Sequence, residues 1–157
     1  MKLTDLQIIL LKKELPSWAI KVNPMKKNMS VIHPMAIIDR LNEVFGIGEW
    51  NFTVEFIACE KEVQQTKNGA RDIYVSAVKG RLEIMDLKIE QFGGSTNDDK
   101  GDALKGGATD ALTKIASYLG IGAEIYKGRG NIAGGQEPSG DMATDARDRE
   151  SDEILFD

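Results

Sequence analysis

Residues 101–122 read GDALKGGATDALTKIASYLGIG, and this stretch predicts the helix around which the fold is built. The three residues before it, Asn-Asp-Asp at 97–99, are good N-cap candidates, and their carboxylates suit the positive end of a helix dipole. Gly120 is a typical residue for ending a helix. Apolar side chains recur at the spacing of one helical face, and they are Leu104, Ala108, Ala111, Leu112, Ile115 and Leu119.

Two glycines lie inside this predicted helix. Gly106 and Gly107 each cost about 1 kcal/mol of helix stability relative to alanine, and much of the apolar face is also small. Because small residues let a helix lie close to another backbone, we predict that this helix packs tightly onto a sheet or a neighbouring subunit. An ordinary helix that tolerates a weak spot is the alternative.

The composition predicts one domain without disulfides or a zinc site. Cys59 and His33 are the single cysteine and histidine among 157 residues, which is too few for zinc and favours a reducing, intracellular setting. There is no run of eighteen apolar residues, and the first residues make a poor secretory signal. We expect a cytoplasmic protein that needs no cofactor and does not enter a membrane.

The charge of the chain is unevenly distributed around a net value of −5. Residues 134–157 carry eight acids and two arginines, whereas residues 1–30 carry six lysines and two acids. We therefore predict a folded domain over 1–133 and a flexible acidic tail over 134–157. The basic segment suits a phosphate-facing groove, with a solvated lysine-rich surface as the alternative. The apolar Ile-Leu-Phe at 154–156 is either a peptide for a protein partner or part of a solubilising end.

Ahead of the central helix, the hydrophobic pattern predicts two helices and several strands. The helices cover residues 4–15 and 34–46, and the strands cover 18–22, 50–58, 73–84 and 87–92. His33 is expected to cap the second helix, Asn68-Gly69 to turn a hairpin, and Gly80 to break or bulge a strand. The fold class is α+β, in which an antiparallel meander of three to four strands packs against the long C-terminal helix, with a second helix before the meander.

Catalytic patterns in the sequence are weak. A serine or cysteine nucleophile needs an oriented base, and His33 precedes a proline at a predicted helix start. No glycine-rich loop has the context of a nucleotide site. Asp72 together with Asp86-Leu87-Lys88 has the acid and acid-x-Lys pattern of a magnesium-dependent nuclease, which is the enzyme alternative. We predict that the chain is not an enzyme, and an interaction domain with no DNA role is a third hypothesis.

Nucleic-acid binding through a basic surface is the class that remains. Lys79 and Arg81 lie on one predicted strand face, while Lys105 and Lys114 flank the apolar stripe of the central helix on opposite sides. For Lys114, an ion pair with Asp110 at i, i+4 is the alternative. The candidate phosphate-binding residues are Lys21, Lys26, Lys27, Lys79, Arg81, Lys88, Lys105 and Lys114.

Two long motifs resemble the Rad-fifty-two family of single-strand annealing proteins. One is DALKGGATDALTKIASYLGIG at 102–122, similar to the family's signature helix, and the other is IIDRLNEVFGIGEW at 37–50. The three-strand meander and the paired glycines before the last helix follow the same order, and the similarity covers roughly residues 16–126. The chain looks like a compact bacterial or phage member.

This resemblance implies a mushroom-like protomer that assembles into rings or arcs. In the family, single-stranded DNA is held by its backbone in a basic groove, and complementary strands anneal without ATP. By position, Lys21 matches the family's basic site on the strand before the second helix, and Lys105 matches a lysine early in the signature helix. Thr113 and Lys114 match a pair of basic residues, so Thr113 is a departure that loses or moves one phosphate contact.

Lys79 and Arg81 match an outer DNA site of the family with looser alignment. Taken together, the residues and the resemblance predict a recombination protein that binds single-stranded DNA and works as a homo-oligomer. We expect it in the cytoplasm of a bacterial or phage-infected cell. For the acidic tail three roles stay open: it competes with DNA for the basic groove, contacts a replication or single-strand-binding protein, or only keeps the chain soluble.

Overall fold

The computed structural model describes residues 2–23 and 29–127. The predicted α+β class is confirmed, while Lys26, Lys27 and the predicted acidic tail lie outside the described residues. The elements in chain order are α1 (Asp5–Lys12), a 3₁₀ turn (Ser17–Ala19), β1 (Ile20–Asn23), β2 (Met29–Ile32), α2 (Pro34–Phe45), β3 (Trp50–Thr66), β4 (Gly69–Ile84), β5 (Leu87–Asn97), α3 (Lys100–Tyr118) and α4 (Ala123–Tyr126).

The meander is an antiparallel three-stranded sheet in the order β3-β4-β5. Its first hairpin turns at Lys67-Asn68, one residue before the predicted Asn68-Gly69, because Gly69 already pairs with Thr66 as the first residue of β4. The second hairpin turns at Met85-Asp86, where Met85 has a φ of 54°. All three strands are longer than the sequence predicted. The Gly93-Gly94-Ser95 run, expected to lead into the helix, belongs to β5 because β4 continues alongside it as a hydrogen-bonding partner.

The predicted irregularity at Gly80 is wrong. Gly80 pairs in regular register with Val54 on one side and Gln91 on the other, and the bulge falls in β3 between Phe56 and Ala58. Gly80 is small for a packing reason, since a Cβ there would lie 2.9 Å from the Cβ of Ala111 and 3.0 Å from the ring of Phe52.

A second, two-stranded sheet precedes α2, and sequence reasoning found only half of it. The predicted strand at 18–22 begins later, because Ser17–Ala19 forms a 3₁₀ turn, and β1 pairs with an unpredicted strand, β2. The N–H of His33 donates to the carbonyl of Ala19 (2.6 Å), which closes the base of this hairpin. The predicted cap is confirmed, since His33 Nδ1 accepts from the N–H of Met35 (3.2 Å).

The first helix begins as predicted and ends early. Thr4 and Gln7 form the capping box, with Thr4 Oγ1 accepting from the N–H of Gln7 (3.2 Å). The helix ends at Lys12 rather than residue 15, and it buries Leu11, whereas Leu6 is 64% exposed. Buried Arg40 of α2 donates to carbonyls at this end of the segment, those of Leu10 and Lys13.

The central helix α3 begins after its N-cap Asp99, as predicted, and packs on the sheet. The predicted apolar face is confirmed in part, because Ala111, Leu112 and Ile115 are buried while Leu104, Ala108 and Leu119 are only partly buried. The residues that α3 buries are Ala103, Gly107, Ala111, Leu112, Ile115 and Ala116. A Cβ at Gly93 of β5 would clash with the backbone of Gly107 and Ala111. The predicted close approach is therefore confirmed, and the surface approached is this chain's own sheet.

Candidate nucleic-acid interface

Lys79 and Arg81 lie on the face of the sheet that points away from α3. Residues of β4 alternate, so that Val78, Gly80 and Leu82 are buried under the helix while the two cations project from the opposite side. The structure therefore brings Lys79 and Arg81 together, as predicted. A shallow depression on this face is lined by Thr53, Val54, Glu55, Lys79, Arg81 and Glu90.

Carboxylates neutralise this outer face. Glu90 pairs with Arg81 at 2.5 Å and with Lys79 at 3.1 Å, and Glu83 lies 3.6 Å from Lys88. Hydrogen bonds from Arg81 and then Lys79 hold the pKa of Glu90 below its usual value. Exposed ion pairs of this kind contribute about 0–1 kcal/mol each, so a phosphate can displace them, but the face carries little excess positive charge.

The helix lysines are also paired. Lys105 Nζ lies 3.0 Å from Asp102, and Lys114 Nζ lies 3.0 Å from Asp110, which is the alternative that the sequence left open. Asp110 additionally accepts from the N–H of Gly94 (3.0 Å), so this carboxylate ties α3 to β5. Because α3 covers the inner face of the sheet, these lysines do not join Lys79 and Arg81.

Thr113 points its hydroxyl into its own helix. Thr113 Oγ1 donates to the carbonyl of Thr109 (2.8 Å), one turn earlier. This intrahelical bond occupies the hydroxyl proton and accounts for how a threonine is accommodated at this half-buried helix position. It does not replace the cation of the family's basic pair.

Lys21 differs from the other described candidates. It lies on β1, opposite Val31 in the hairpin register, and its side chain is exposed. Among residues 2–23 and 29–127, no carboxylate lies within 4.0 Å of its ammonium group. The sequence gives the reason, because no acidic residue occurs between Glu14 and Asp39, while three lysines do. This acid-free window was readable from the sequence and singles out the β1–β2 hairpin.

The residues of the nuclease hypothesis are far apart. Asp72 lies near the first hairpin turn and pairs with Lys61 at 2.7 Å, whereas Asp86 lies in the second hairpin turn. The twelve β4 residues Ile73–Ile84, at about 3.3 Å each, separate Asp72 from the turn that holds Asp86, so the pair cannot hold one magnesium ion. Within the part of the chain that the structure describes, no three acidic, histidine or cysteine side chains form a metal-binding group.

A comparison with known protein families shows which family the chain belongs to. The sequence profile of the Rad52/22 family double-strand break repair protein matches residues 3–136. The chain belongs to this family. Both motifs quoted above, at 37–50 and 102–122, fall inside the match, so the resemblance drawn from them is confirmed. No curated protein matches the chain significantly.

Family membership gives the chain a place in double-strand break repair and recombination. The structure adds the local geometry, in which Lys21 of the hairpin has no carboxylate partner among residues 2–23 and 29–127, whereas the two other groups of candidates carry ion pairs. None of the helices within the described residues combines the length and apolar character needed to cross a bilayer.

Proposed function

We propose that the protein binds single-stranded DNA through its sugar–phosphate backbone and anneals complementary strands without ATP. The observation that carries this proposal is the acid-free hairpin, on which Lys21 projects with no carboxylate partner in the part of the chain that the structure describes. Phosphate contacts supply most sequence-independent affinity, and each neutralised phosphate releases counterions. A cation that is not already paired offers this contact without first breaking an ion pair.

Lys105 and Lys114 are proposed as additional contacts of lower affinity. The side chain of Lys105 is 78% exposed and that of Lys114 is 44% exposed, so DNA can reach both. Each must leave Asp102 or Asp110, and exposed i, i+3 and i, i+4 pairs are worth only a few tenths of a kcal/mol. Exchange of carboxylate for phosphate is therefore feasible, although its net gain is smaller than at an unpaired lysine.

We also propose that the protein works as a homo-oligomer. Within the described residues β3 is an edge strand of 17 residues, and a free edge presents backbone donors and acceptors to another chain. Apolar side chains along it remain open, with Phe56 56%, Ile57 53% and Val63 62% exposed. A ring or arc built from such protomers would align successive hairpins along one DNA strand, in the cytoplasm of a bacterial or phage-infected cell.

Annealing of labelled complementary oligonucleotides tests the function. The full-length protein is mixed with the two strands without nucleotide, once with EDTA and once with magnesium, and duplex formation is followed by fluorescence transfer. We expect faster annealing than in buffer alone under both conditions, with intact strands afterwards.

Two other results would contradict the proposal. Strand cleavage that requires magnesium would favour a nuclease, and an unchanged annealing rate without DNA binding would favour an interaction domain. Light scattering on the same samples measures the mass, and a monomer at annealing-competent concentrations would contradict the oligomer.

A further inference from the structure

An exposed indole lies at the base of the β1–β2 hairpin. Trp18 is 51% exposed, although its neighbours Leu15 and Ala19 are 4% and 0% exposed. The backbone beneath it is fixed, because the N–H of Ala19 donates to the carbonyl of Pro16 (2.9 Å) within the 3₁₀ turn. The ring is thus presented on an anchored turn rather than on a free loop.

A second ring orients the indole without covering it. The ring centroids of Trp18 and His33 lie 5.8 Å apart with an interplanar angle of 66°, a T-shaped contact. His33 is itself held by its cap bond to the N–H of Met35. Because about half of the indole stays open to solvent, part of the ring remains free to contact a ligand.

The surroundings specify what kind of ligand fits. Lys21 follows Trp18 by three residues, a distance of at most about 11 Å along the chain, and it has no carboxylate partner among the described residues. No acid occurs between Glu14 and Asp39 to repel a polyanion. A flat aromatic surface beside an unpaired cation suits a ligand that combines planar rings with negative charge, and single-stranded DNA has both.

We propose that Trp18 stacks on a nucleobase of single-stranded DNA while Lys21 contacts the adjoining backbone. This inference rests on the proposed function and adds a base contact to it. Stacking accepts every base, because each base has a π face, so it adds affinity without sequence preference. It also holds a strand in place at one base while the neighbouring bases remain available for pairing.

The test compares two strands with the same number of phosphates. One is oligothymidine and the other is an abasic strand, which lacks bases. We expect Trp18→Ala to weaken binding of oligothymidine about 5-fold or more and to leave binding of the abasic strand unchanged, since alanine substitution at a stacking aromatic typically costs about 1–3 kcal/mol. Trp18→Phe should retain most of the affinity.

Phe92→Ala is the matched control. Phe92 is 60% exposed, but it lies on β5 at the neutralised outer face, opposite Lys79. We expect it to leave both affinities unchanged. A loss equal to that of Trp18→Ala would contradict a contact specific to the hairpin.

Fluorescence keeps the test valid if Trp18→Ala folds poorly. Trp50, the second tryptophan, is half-buried and donates to Asn42 Oδ1 (2.9 Å). Trp50→Phe leaves Trp18 as the sole indole, and we expect oligothymidine, but not the abasic strand, to quench it. Absence of quenching, equal effects on both strands, or an altered assembly mass in Trp18→Ala would overturn the inference. If the unsubstituted protein binds the abasic strand and Trp18 has no effect, the inference fails while the proposed function stands.

Discussion

At the scale of single residues, the most consequential side chain is a buried arginine. Arg40 is 5% exposed and donates to the carbonyls of Leu10 (2.7 Å), Lys13 (2.6 Å) and Glu14 (3.2 Å). Lys13 and Glu14 follow the end of α1, whereas the carbonyl of Leu10 also accepts from the N–H of Lys13 (3.3 Å). Arg40 thereby joins the N-terminal segment to α2 and fixes the chain just ahead of the Trp18 turn.

Loss of this arginine should destabilise the fold strongly. Arg40→Met removes the charged donor and leaves buried carbonyls unsatisfied, and we expect the free energy of unfolding to fall by about 3 kcal/mol. Arg40→Lys should retain only part of this free energy of unfolding, since an ammonium group cannot donate in the fixed planar arrangement of a guanidinium group. Urea denaturation measures the free energy of unfolding of both Arg40 variants. Arg81→Met, at an exposed arginine, is the control, and we expect it to lower the free energy of unfolding much less. Equal losses for Arg40→Met and Arg81→Met would contradict this role.

Local capping was predictable from the sequence, and Arg40 was not. Thr4 with Gln7, and His33 with Met35, interact across two or three residues, so their spacing alone predicts the bond. Arg40 meets partners 26–30 residues away. On a sequence it looks like an ordinary solvated position of an amphipathic helix, and only the tertiary arrangement buries it.

At the scale of elements, the approach of α3 to the sheet defines the domain. The sequence predicted a helix with small residues and a close neighbour, and three residues of its predicted stripe, Ala111, Leu112 and Ile115, are buried. The other three, Leu104, Ala108 and Leu119, are only partly buried. The structure turns the smallest face, including Gly107, towards β4 and β5. The hydrophobicity of a residue predicts whether it prefers burial. Here the short distance between the backbones of α3 and the sheet determines which side chains fit between them.

Gly107→Leu tests this packing. A Cβ at Gly107 would lie 2.9 Å from Ser76 Oγ and 3.1 Å from Val78 Cγ1, both on the buried face of β4. We expect overpacking to reduce stability by about 1–3 kcal/mol, measured as a lower urea midpoint. Ala108→Leu, one residue along and only partly buried, should change the midpoint little. Equal midpoints for the unsubstituted protein and Gly107→Leu would contradict the close approach.

The second sheet shows why an element was missed. Residues 29–32 alone are too short for a period-2 pattern to identify a strand. They pair with Ile20–Asn23, and the base of this hairpin is closed by the bond from the N–H of His33 to the carbonyl of Ala19, between the 3₁₀ turn and the start of α2. The strand therefore depends on its neighbours rather than on its own composition.

At the scale of the whole molecule, charge is segregated rather than abundant. The net charge is −5, and the candidate cations of the sheet and of α3 sit beside carboxylates, so total lysine content says little about where DNA binds. The acid-free window from 15 to 38 is the informative feature. The roles predicted for the tail remain predictions, because residues 134–157 lie outside the described residues.

The dependence of single-stranded DNA binding on salt tests the central claim most directly. Full-length protein, Lys21→Ala and the matched control Lys79→Ala are titrated by fluorescence anisotropy at several salt concentrations. The account predicts that Lys21→Ala lowers the slope of log K against log salt by about 0.7–1 for each protomer engaged, while Lys79→Ala, which removes a lysine already paired with Glu90, changes it less. The account would be contradicted if Lys21→Ala left the slope unchanged while Lys79→Ala clearly lowered it. That result would move the interface to the outer face of the sheet.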